Sequence, residues 1–164
     1  MTAEKNCDPE AFRKAMGQFA TGVAVVSVLD AAGGPRGMTI SSLTSVSLAP
    51  PLLLYGLDRG AVNFLSFAEA KAFAVNILSR DQEALSNRFA DPGRPDWPDL
   101  PWRSLRSGAP GLENAALIID CRRERIVEIA DHLVIFGQAL EVEGEGPDMP
   151  LLHHAGRYRG LSDG

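Results

Sequence analysis

The chain has 164 residues and a mass of 17.6 kDa, which fits a single domain over residues 1–164 with a hydrophobic core. Apolar residues make up 45% and charged residues 23%, so the composition excludes intrinsic disorder. The net charge of -5 lacks the basic excess that binding to nucleic acid favours. Because the N-terminus lacks the apolar core of a signal peptide and no stretch reaches a membrane span of roughly 18 apolar residues, we expect a soluble, cytoplasmic protein without a membrane partner.

The cysteines and histidines do not form a recognisable metal or disulfide pattern. Cys7 and Cys121 are far apart and lack C-x-x-C spacing. The remaining candidates are His132 and the adjacent pair His153 and His154. Because adjacent side chains on a strand point to opposite faces, that pair cannot chelate one metal, and we predict no metal site.

The first predicted elements are a helix and a hairpin. Asp8 suits an N-cap and Pro9 the first helical position, and the apolar residues that follow at helical spacing are Phe12, Ala15, Met16 and Phe19. After Gly22, the β-branched run at 23–29 predicts a strand. Turn residues at 30–35 then lead into a second strand near Gly37, which indicates an antiparallel hairpin.

Residues 38–48 (MTISSLTSVSL) are predicted to form one strand with a hydroxyl-rich face. With period two, one face carries Thr39, Ser41, Leu43, Ser45 and Ser47, and the other carries Met38, Ile40, Ser42, Thr44, Val46 and Leu48. Pro50 and Pro51 end this strand, and the next one covers 52–57.

The remaining pattern favours an antiparallel barrel. A short helix is predicted through 63–67 and a strand at 73–78. A further helix follows, headed by Ser79 and Gln82 and ending near 91–93. The stretch to residue 111 reads as an irregular loop that Trp97 and Trp102 anchor, with a role as a lid as the alternative. Two long strands at 115–128 and 132–142 meet around Ala130 and Asp131, and the helices are expected to cap the barrel.

The chemistry that the residues support is limited to ligand binding. No nucleophile elbow, Walker A loop, zincin helix or dinucleotide-binding G-x-G-x-x-G turn is present. A row of hydroxyls suits a ligand that is polar along its length, such as a ribityl chain with amide-like ring edges, although a solvent-facing strand has the same pattern. Arg59 offers a planar guanidinium that pairs well with a phosphate.

In order along the chain, the sequence resembles the short-chain flavin reductases, the reductase components of two-component flavin-dependent monooxygenases. The segments that carry the resemblance are 12–28, 37–54 (GMTISSLTSVSLAPPLLL), 57–59 (LDR), 73–79 (FAVNILS), 131–132 (DH) and 150–161 (PLLHHAGRYRGL). The resemblance implies a homodimeric, six-stranded antiparallel split β-barrel. It also implies that NADH or NADPH reduces FMN or FAD for a partner monooxygenase.

The resemblance also implies the site residues. The ribityl chain and phosphate would be held by Thr39, Ser41, Ser42, Ser45 and Ser47, with Arg59 assisting and Met38, Ile40 and Val46 beside them. The isoalloxazine would be lined by Phe73, Ala74, Val75, Asn76 and Ile77. His132 is the candidate catalytic residue, and His132, Arg157 and Tyr158 would lie near the nicotinamide. The family has Asn where Ser41 stands and Gly where Ala130 stands.

Two alternatives stay open from the sequence. One is a flavin-binding or electron-transfer protein on the same barrel without a nicotinamide site. The other is a barrel that binds a different small ligand. The sequence does not separate FMN from FAD, because both share the ribityl chain and isoalloxazine that the strand would contact. It does not separate NADH from NADPH either. A 2'-phosphate would suit Arg157, Arg159 and the arginines at 122, 123 and 125, but an arginine-rich outer strand is more often a solvated face.

Overall fold

The structure is a computed structural model that describes residues 7–92, 97 and 99–161. Its helices are α1 (Pro9–Met16), α2 (Phe64–Glu69), α3 (Glu83–Ala90) and a 3-10 turn (Arg80–Gln82). Its strands are β1 (Thr21–Gly22), β2 (Ala24–Leu29), β3 (Pro35–Ile40), β4 (Thr44–Leu48), β5 (Pro51–Asp58), β6 (Ala72–Ile77), β7 (Trp102–Ser104), β8 (Pro110–Leu112), β9 (Leu117–Ile129), β10 (His132–Glu143), β11 (Leu152–His154) and β12 (Arg157–Arg159).

One large antiparallel sheet forms the body of the molecule. Its strand order is β3-β2-β6-β9-β10-β5-β4, and smaller sheets are formed by β1-β11-β12 and by β7-β8. The pairings within these sheets are antiparallel. The large sheet curls without closing, so the expected mainly β split barrel is confirmed.

The segment that was expected to be one hydroxyl-rich strand is two strands on opposite edges of the large sheet. β3 ends at Ile40 and β4 begins at Thr44, and three residues, 41–43, cross between the edges. The Ser42 hydroxyl accepts a hydrogen bond of 3.0 Å from the Gly56 N–H. Because a serine side chain thereby replaces a backbone partner, the strand ladder is interrupted here. The sheet therefore has seven described strands rather than six, and the predicted two-faced alternation does not continue past Ile40.

The barrel interior is apolar and tightly packed. In β5, Leu53, Tyr55 and Leu57 point inward, while the residues between them are only half-buried. The Tyr55 ring makes an edge contact with Phe73, with centroids 5.2 Å apart. A Cβ placed at Gly137 would lie 2.3 Å from the Phe73 ring, so a glycine is required for this ring to fit.

Several local predictions are confirmed. The Asp8 carboxylate accepts from the Ala11 N–H at 2.9 Å, as an N-cap does. β2 and β3 form the expected hairpin, and the Gln82 side chain accepts from the Ser79 N–H at 2.9 Å. The apolar residues that were predicted at helical spacing, however, are not covered by the barrel, and Phe19 lies after the end of α1. Phe12, Met16 and Phe19 are 59%, 53% and 71% exposed.

The predicted irregular loop before residue 111 contains a short hairpin, β7 with β8. The prediction of an irregular loop was wrong here, because the Asn76 side chain accepts a hydrogen bond of 2.9 Å from the Leu112 N–H and holds β8 against the barrel. Trp97 makes an edge contact with Phe89 at 5.2 Å, which favours anchoring over a lid. Residues 93–96 and 98 of the predicted loop lie outside the described residues.

The turn between the two longest strands is tight. Ala130 has a φ of 48°, in the left-handed region where glycine is most easily accommodated. This explains why a glycine is expected at the same place in the resembling family. Within residues 7–92, 97 and 99–161, no helix is long and apolar enough to cross a bilayer.

Candidate functional site

Met38 and Thr39 line a cavity of about 220 Å³, here called the β3 cavity. Its other walls come from residues 61–63, which follow β5, and from residues 89–92 at the end of α3. Phe67 and Phe89 supply aromatic surface, while Thr39 and Asn63 supply polar groups. The cavity therefore combines apolar walls with a few polar atoms, as small-molecule sites do.

The β3 cavity depends on close packing between β3 and α3. A Cβ built at Gly37 would lie 2.3 Å from Cε1 of Phe89, so the ring rests directly on the glycine backbone. The Thr39 hydroxyl donates to the Ser86 carbonyl at 2.7 Å. These two contacts fix the helix over the strand.

Ser41 lines a second cavity of about 260 Å³, here called the crossover cavity. Leu43 and Thr44 from the crossover, Ile77 from β6 and Leu151 also line it. The buried hydroxyl of Thr21, another lining residue, has no hydrogen-bond partner among the described residues. Two of the predicted cofactor-binding residues, Ser41 and Ile77, thus meet at one cavity.

The other predicted residues of the hydroxyl segment do not share a face, which corrects the sequence interpretation. Ile40 is buried in the core, and Ser42 is bonded to the backbone of Gly56. On β4, Ser45 and Val46 are exposed, and a bulge separates Ser45 from Ser47. The bulge changes the side-chain alternation, because the extra residue displaces those after it.

His132 and Ser42 both lie next to Gly56. A Cβ added at Gly56 would be 3.7 Å from Oγ of Ser42 and 3.8 Å from Cδ2 of His132. The Nδ1 of His132 is 2.8 Å from a carboxylate oxygen of Asp131. This hydrogen bond is the main cause that lowers the pKa of the Asp131 carboxyl below its ordinary value.

Arg59 lies at the same end of the barrel as His132. Its backbone N–H donates to the Asp131 carbonyl at 3.0 Å. Its guanidinium pairs with Glu128 at 2.7 Å and lies 5.9 Å from the centre of the Phe64 ring. Both charged side chains are solvent-accessible, so this ion pair contributes little to stability.

The predicted isoalloxazine-lining strand is mostly interior. The side chains of Phe73, Ala74, Val75 and Asn76 are buried in the fold, and only Ile77 of this set lines one of the two cavities. Asn76 donates to the Val25 carbonyl and to Oγ of Ser27, each at 2.9 Å. Its polar atoms are therefore committed to holding strands together, and the flavin contacts of these four residues stay a prediction.

Of the two C-terminal candidate residues, Arg157 and Tyr158, Tyr158 contacts α3. The Tyr158 hydroxyl is 2.8 Å from that of Ser86, and its ring makes an edge contact with His153 at 5.9 Å. Arg157 is exposed. Tyr158 and His132 thus have separate surroundings in the chain. Among the described residues, no group of three His, Cys, Asp or Glu side chains is placed to hold a metal ion.

Sequence reasoning missed residues 61–63 and 89–92 of the β3 cavity, together with Gly37 and Ser86. The relevant signals were present but ambiguous, since a glycine within a strand and a serine in a helix have many roles. Only the packing of α3 on β3 shows that they meet.

The curled antiparallel sheet, with cavities along its border, defines a split barrel. A sequence profile described as "Flavin reductase like domain" matches residues 16–162, and the chain belongs to this family.

Three similar proteins illustrate the family. A Rhizobium meliloti (strain 1021) protein named "Probable flavin reductase" is 44% identical over 89% of this chain, which spans about half (47%) of that relative. The reductase subunit HsaB of a flavin-dependent monooxygenase from Rhodococcus jostii (strain RHA1) is 30% identical over 97% of this chain and 81% of its own. The solved structure of Streptomyces globisporus C-1027 NADH:FAD oxidoreductase SgcE6 with NAD and FAD fragments is 33% identical, with a TM-score of 0.85 over 96% of this chain and 97% of its own.

Proposed function

We propose that the protein is an NAD(P)H:flavin oxidoreductase, which reduces FMN or FAD with NADH or NADPH. The observation that carries the proposal is the β3 cavity, in a chain whose family match spans residues 16–162. Met38 and Thr39, both predicted cofactor-binding residues, line that cavity, and Arg59 lies two residues before its wall at 61–63. The names of the similar proteins support flavin as the acceptor and a reduced nicotinamide as the donor.

The residues present suit a flavin. Its ring system is apolar at one end and polar at the other, and its ribityl chain carries hydroxyls. The β3 cavity offers Phe67 and Phe89 beside Thr39, and the crossover cavity offers Ser41 and Thr44. Both cavities are smaller than the roughly 300 Å³ lower bound of ligand pockets, so a bound flavin would extend onto the exposed serines nearby.

When bound, a flavin accepts a hydride from the nicotinamide, and this chain need supply only binding and orientation. Aromatic and aliphatic walls exclude water from the ring face. Thr39 and Ser41 offer hydroxyls to polar edges. Arg59 exchanges Glu128 for a flavin phosphate, since both are anions and the existing pair is exposed.

His132 is proposed to act at the nicotinamide. Because Asp131 engages its Nδ1, the ring is held in one orientation and Nε2 is available to a carboxamide or a proton. The bare backbone of Gly56 leaves room beside it. Arg157 remains a proposed contact of the nucleotide, on the grounds of the resemblance and its exposure.

A homodimer is part of the proposal. On the outer face of the barrel, apolar side chains of neighbouring strands form one surface, namely Leu52, Leu54, Val127, Val134 and Phe136. A cavity of about 400 Å³ opens on this face beside Phe136. A second copy is the occupant that we propose, because a two-fold interface places the same patch of each subunit against the other. Sedimentation of Phe136→Glu should show monomers, with Val142→Glu, further along the same strand, as control. Equal sedimentation of all three proteins as monomers would contradict the dimer.

The reduced flavin is proposed to pass to a partner monooxygenase in the cytoplasm, with no nucleic acid or membrane involved. The naming of HsaB as a monooxygenase reductase subunit supports this partner class. Coupled turnover of a flavin-dependent monooxygenase, supplied with this protein and a nicotinamide, tests it.

The test of the central proposal is a matrix of initial rates. Both nicotinamides are combined with riboflavin, FMN and FAD, and nicotinamide oxidation is followed with and without the protein. We expect flavin-dependent oxidation with at least one pair. Flavin binding without oxidation of either nicotinamide would instead favour an electron-transfer protein, and no flavin binding would favour a barrel for another ligand.

A further inference from the structure

A chain of hydrogen bonds runs from the C-terminal hairpin to the β3 cavity. The hydroxyls of Tyr158 on β12 and Ser86 on α3 are 2.8 Å apart. The backbone carbonyl of the same Ser86 accepts from the Thr39 hydroxyl on β3 at 2.7 Å. One helical residue therefore contacts both the hairpin and a residue of the cavity wall.

The same helix determines the width of the β3 cavity. Residues 89–92, at its end, face Met38 and Thr39 across the cavity. Phe89 rests on Gly37, where a Cβ would approach its ring to 2.3 Å, and Trp97 makes an edge contact with the same ring, with centroids 5.2 Å apart. A small displacement of α3 would therefore move one wall of the cavity relative to the other.

The hairpin that carries Tyr158 is firmly attached to the barrel. β11 pairs with β1, and Leu151, just before it, exchanges backbone hydrogen bonds with Val23 and Leu78. Ser86 is fully buried, and Tyr158 packs against the apolar cluster that contains Phe89 and Leu151. A buried hydroxyl that loses its hydrogen-bond partner destabilises the fold. The hydrogen bond between Tyr158 and Ser86 therefore fixes the position of α3 relative to the hairpin.

We propose that Tyr158 and Ser86 are positioning residues, which hold α3 so that the β3 cavity fits the flavin. This inference rests on the proposed function and assigns Tyr158 to the flavin side of the reaction rather than to the nicotinamide. The hydroxyl of Tyr158 acts through Ser86, and the backbone of Ser86 acts on Thr39.

The variants that test the proposal remove single hydroxyls. Tyr158→Phe keeps the ring and its packing, and Ser86→Ala removes the other half of the pair. Each should raise the flavin dissociation constant by roughly 2- to 12-fold, the effect of one net hydrogen bond, and leave the KM for the nicotinamide unchanged. The double variant should weaken flavin binding no more than either single variant, because both remove one interaction.

The measurement is a flavin fluorescence titration without nicotinamide, followed by steady-state kinetics and thermal unfolding of the same proteins. Ser107→Ala is the matched control. It removes a hydroxyl that bonds the buried carboxylate of Asp120, in residues that line neither the β3 nor the crossover cavity. It should lower stability while leaving flavin affinity unchanged.

Weaker flavin binding in both single variants, with an unaffected control, would support the proposal. Unchanged flavin affinity, a rise confined to the KM for the nicotinamide, additive losses in the double variant, or an equal loss in Ser107→Ala would each overturn it. Failure of the unaltered protein to bind any flavin would refute the proposed function itself and the inference with it.

Discussion

β6 and the crossover from β3 to β4 both carry segments of the family resemblance, yet they have opposite surroundings. In β6, the side chains of Phe73 to Asn76 are buried and their polar atoms are bonded within the chain. At the crossover, Ser41 is exposed and borders a cavity, and Ser45 of the following β4 is also exposed. A shared motif thus marks residues that maintain the barrel as well as residues available to a ligand.

The largest expected effect is a loss of stability on substitution of Asn76, a buried residue of β6. Asn76→Ala would leave the Leu112 N–H, the Val25 carbonyl and Oγ of Ser27 without a partner that they now have. We expect a loss of about 3 kcal/mol or more in the free energy of unfolding, since each buried orphan costs about 1–3 kcal/mol. Urea denaturation measures it. A loss below about 1 kcal/mol, or a specific loss of flavin affinity in a fully stable variant, would return Asn76 to the ligand-binding set.

The next prediction concerns Arg59, a residue proposed to contact the ligand. Arg59→Ala should weaken FMN binding by about 1.5–3 kcal/mol and leave riboflavin binding nearly unchanged, because only FMN carries a phosphate. Glu128→Gln is the matched variant, since it removes the anion that now pairs with Arg59 and should tighten FMN binding. Fluorescence titrations with the two flavins provide the comparison. Equal losses for both flavins in Arg59→Ala would show that this residue does not contact phosphate.

A smaller effect is expected at Ser45. Ser45→Val removes one exposed hydroxyl with little change in size, and we expect flavin affinity to fall by about 1 kcal/mol, the net value of one hydrogen bond. Ser104→Val, an exposed serine of β7, is the control that should bind flavin normally. If Ser45→Val and Ser104→Val bind flavin alike, the serines of β4 face only solvent.

The smallest effect concerns pH. The hydrogen bond from His132 lowers the pKa of Asp131 below its ordinary 3.8, so the ionised carboxylate stabilises the folded state above that value. This contribution disappears as the pH falls through the lower folded-state pKa. The stability difference between the unaltered protein and Asp131→Asn should therefore shrink in denaturation experiments as the pH is lowered below about 4. A difference that grows on acidification would contradict the assignment.

The sequence predicted much of the fold because its signals are local. The cap at Asp8, the hairpin after Leu29 and the tight turn at Ala130 each depend on a few neighbouring residues. The break at Ser42 was not predictable, because it depends on a hydrogen bond to Gly56 in another strand. A continuous run of strand-forming residues therefore concealed a crossover between two sheet edges.

The candidate site was predicted less completely for the same reason. Four candidates from the sequence line a cavity in the structure, namely Met38, Thr39, Ser41 and Ile77. Phe89 and residues 61–63 also line the β3 cavity, but they reach it only because distant segments pack together. Burial of β6 was also invisible, since an apolar strand can line a ligand or a core equally well.

The most direct measurement is the structure of the protein crystallised with FMN. We predict that the flavin lies within hydrogen-bond distance of Thr39 or Ser41, beside the walls at 61–63 and 89–92, with no contact to the side chains of Phe73 to Asn76. A flavin seated elsewhere on the barrel, or against those β6 side chains, would contradict the account.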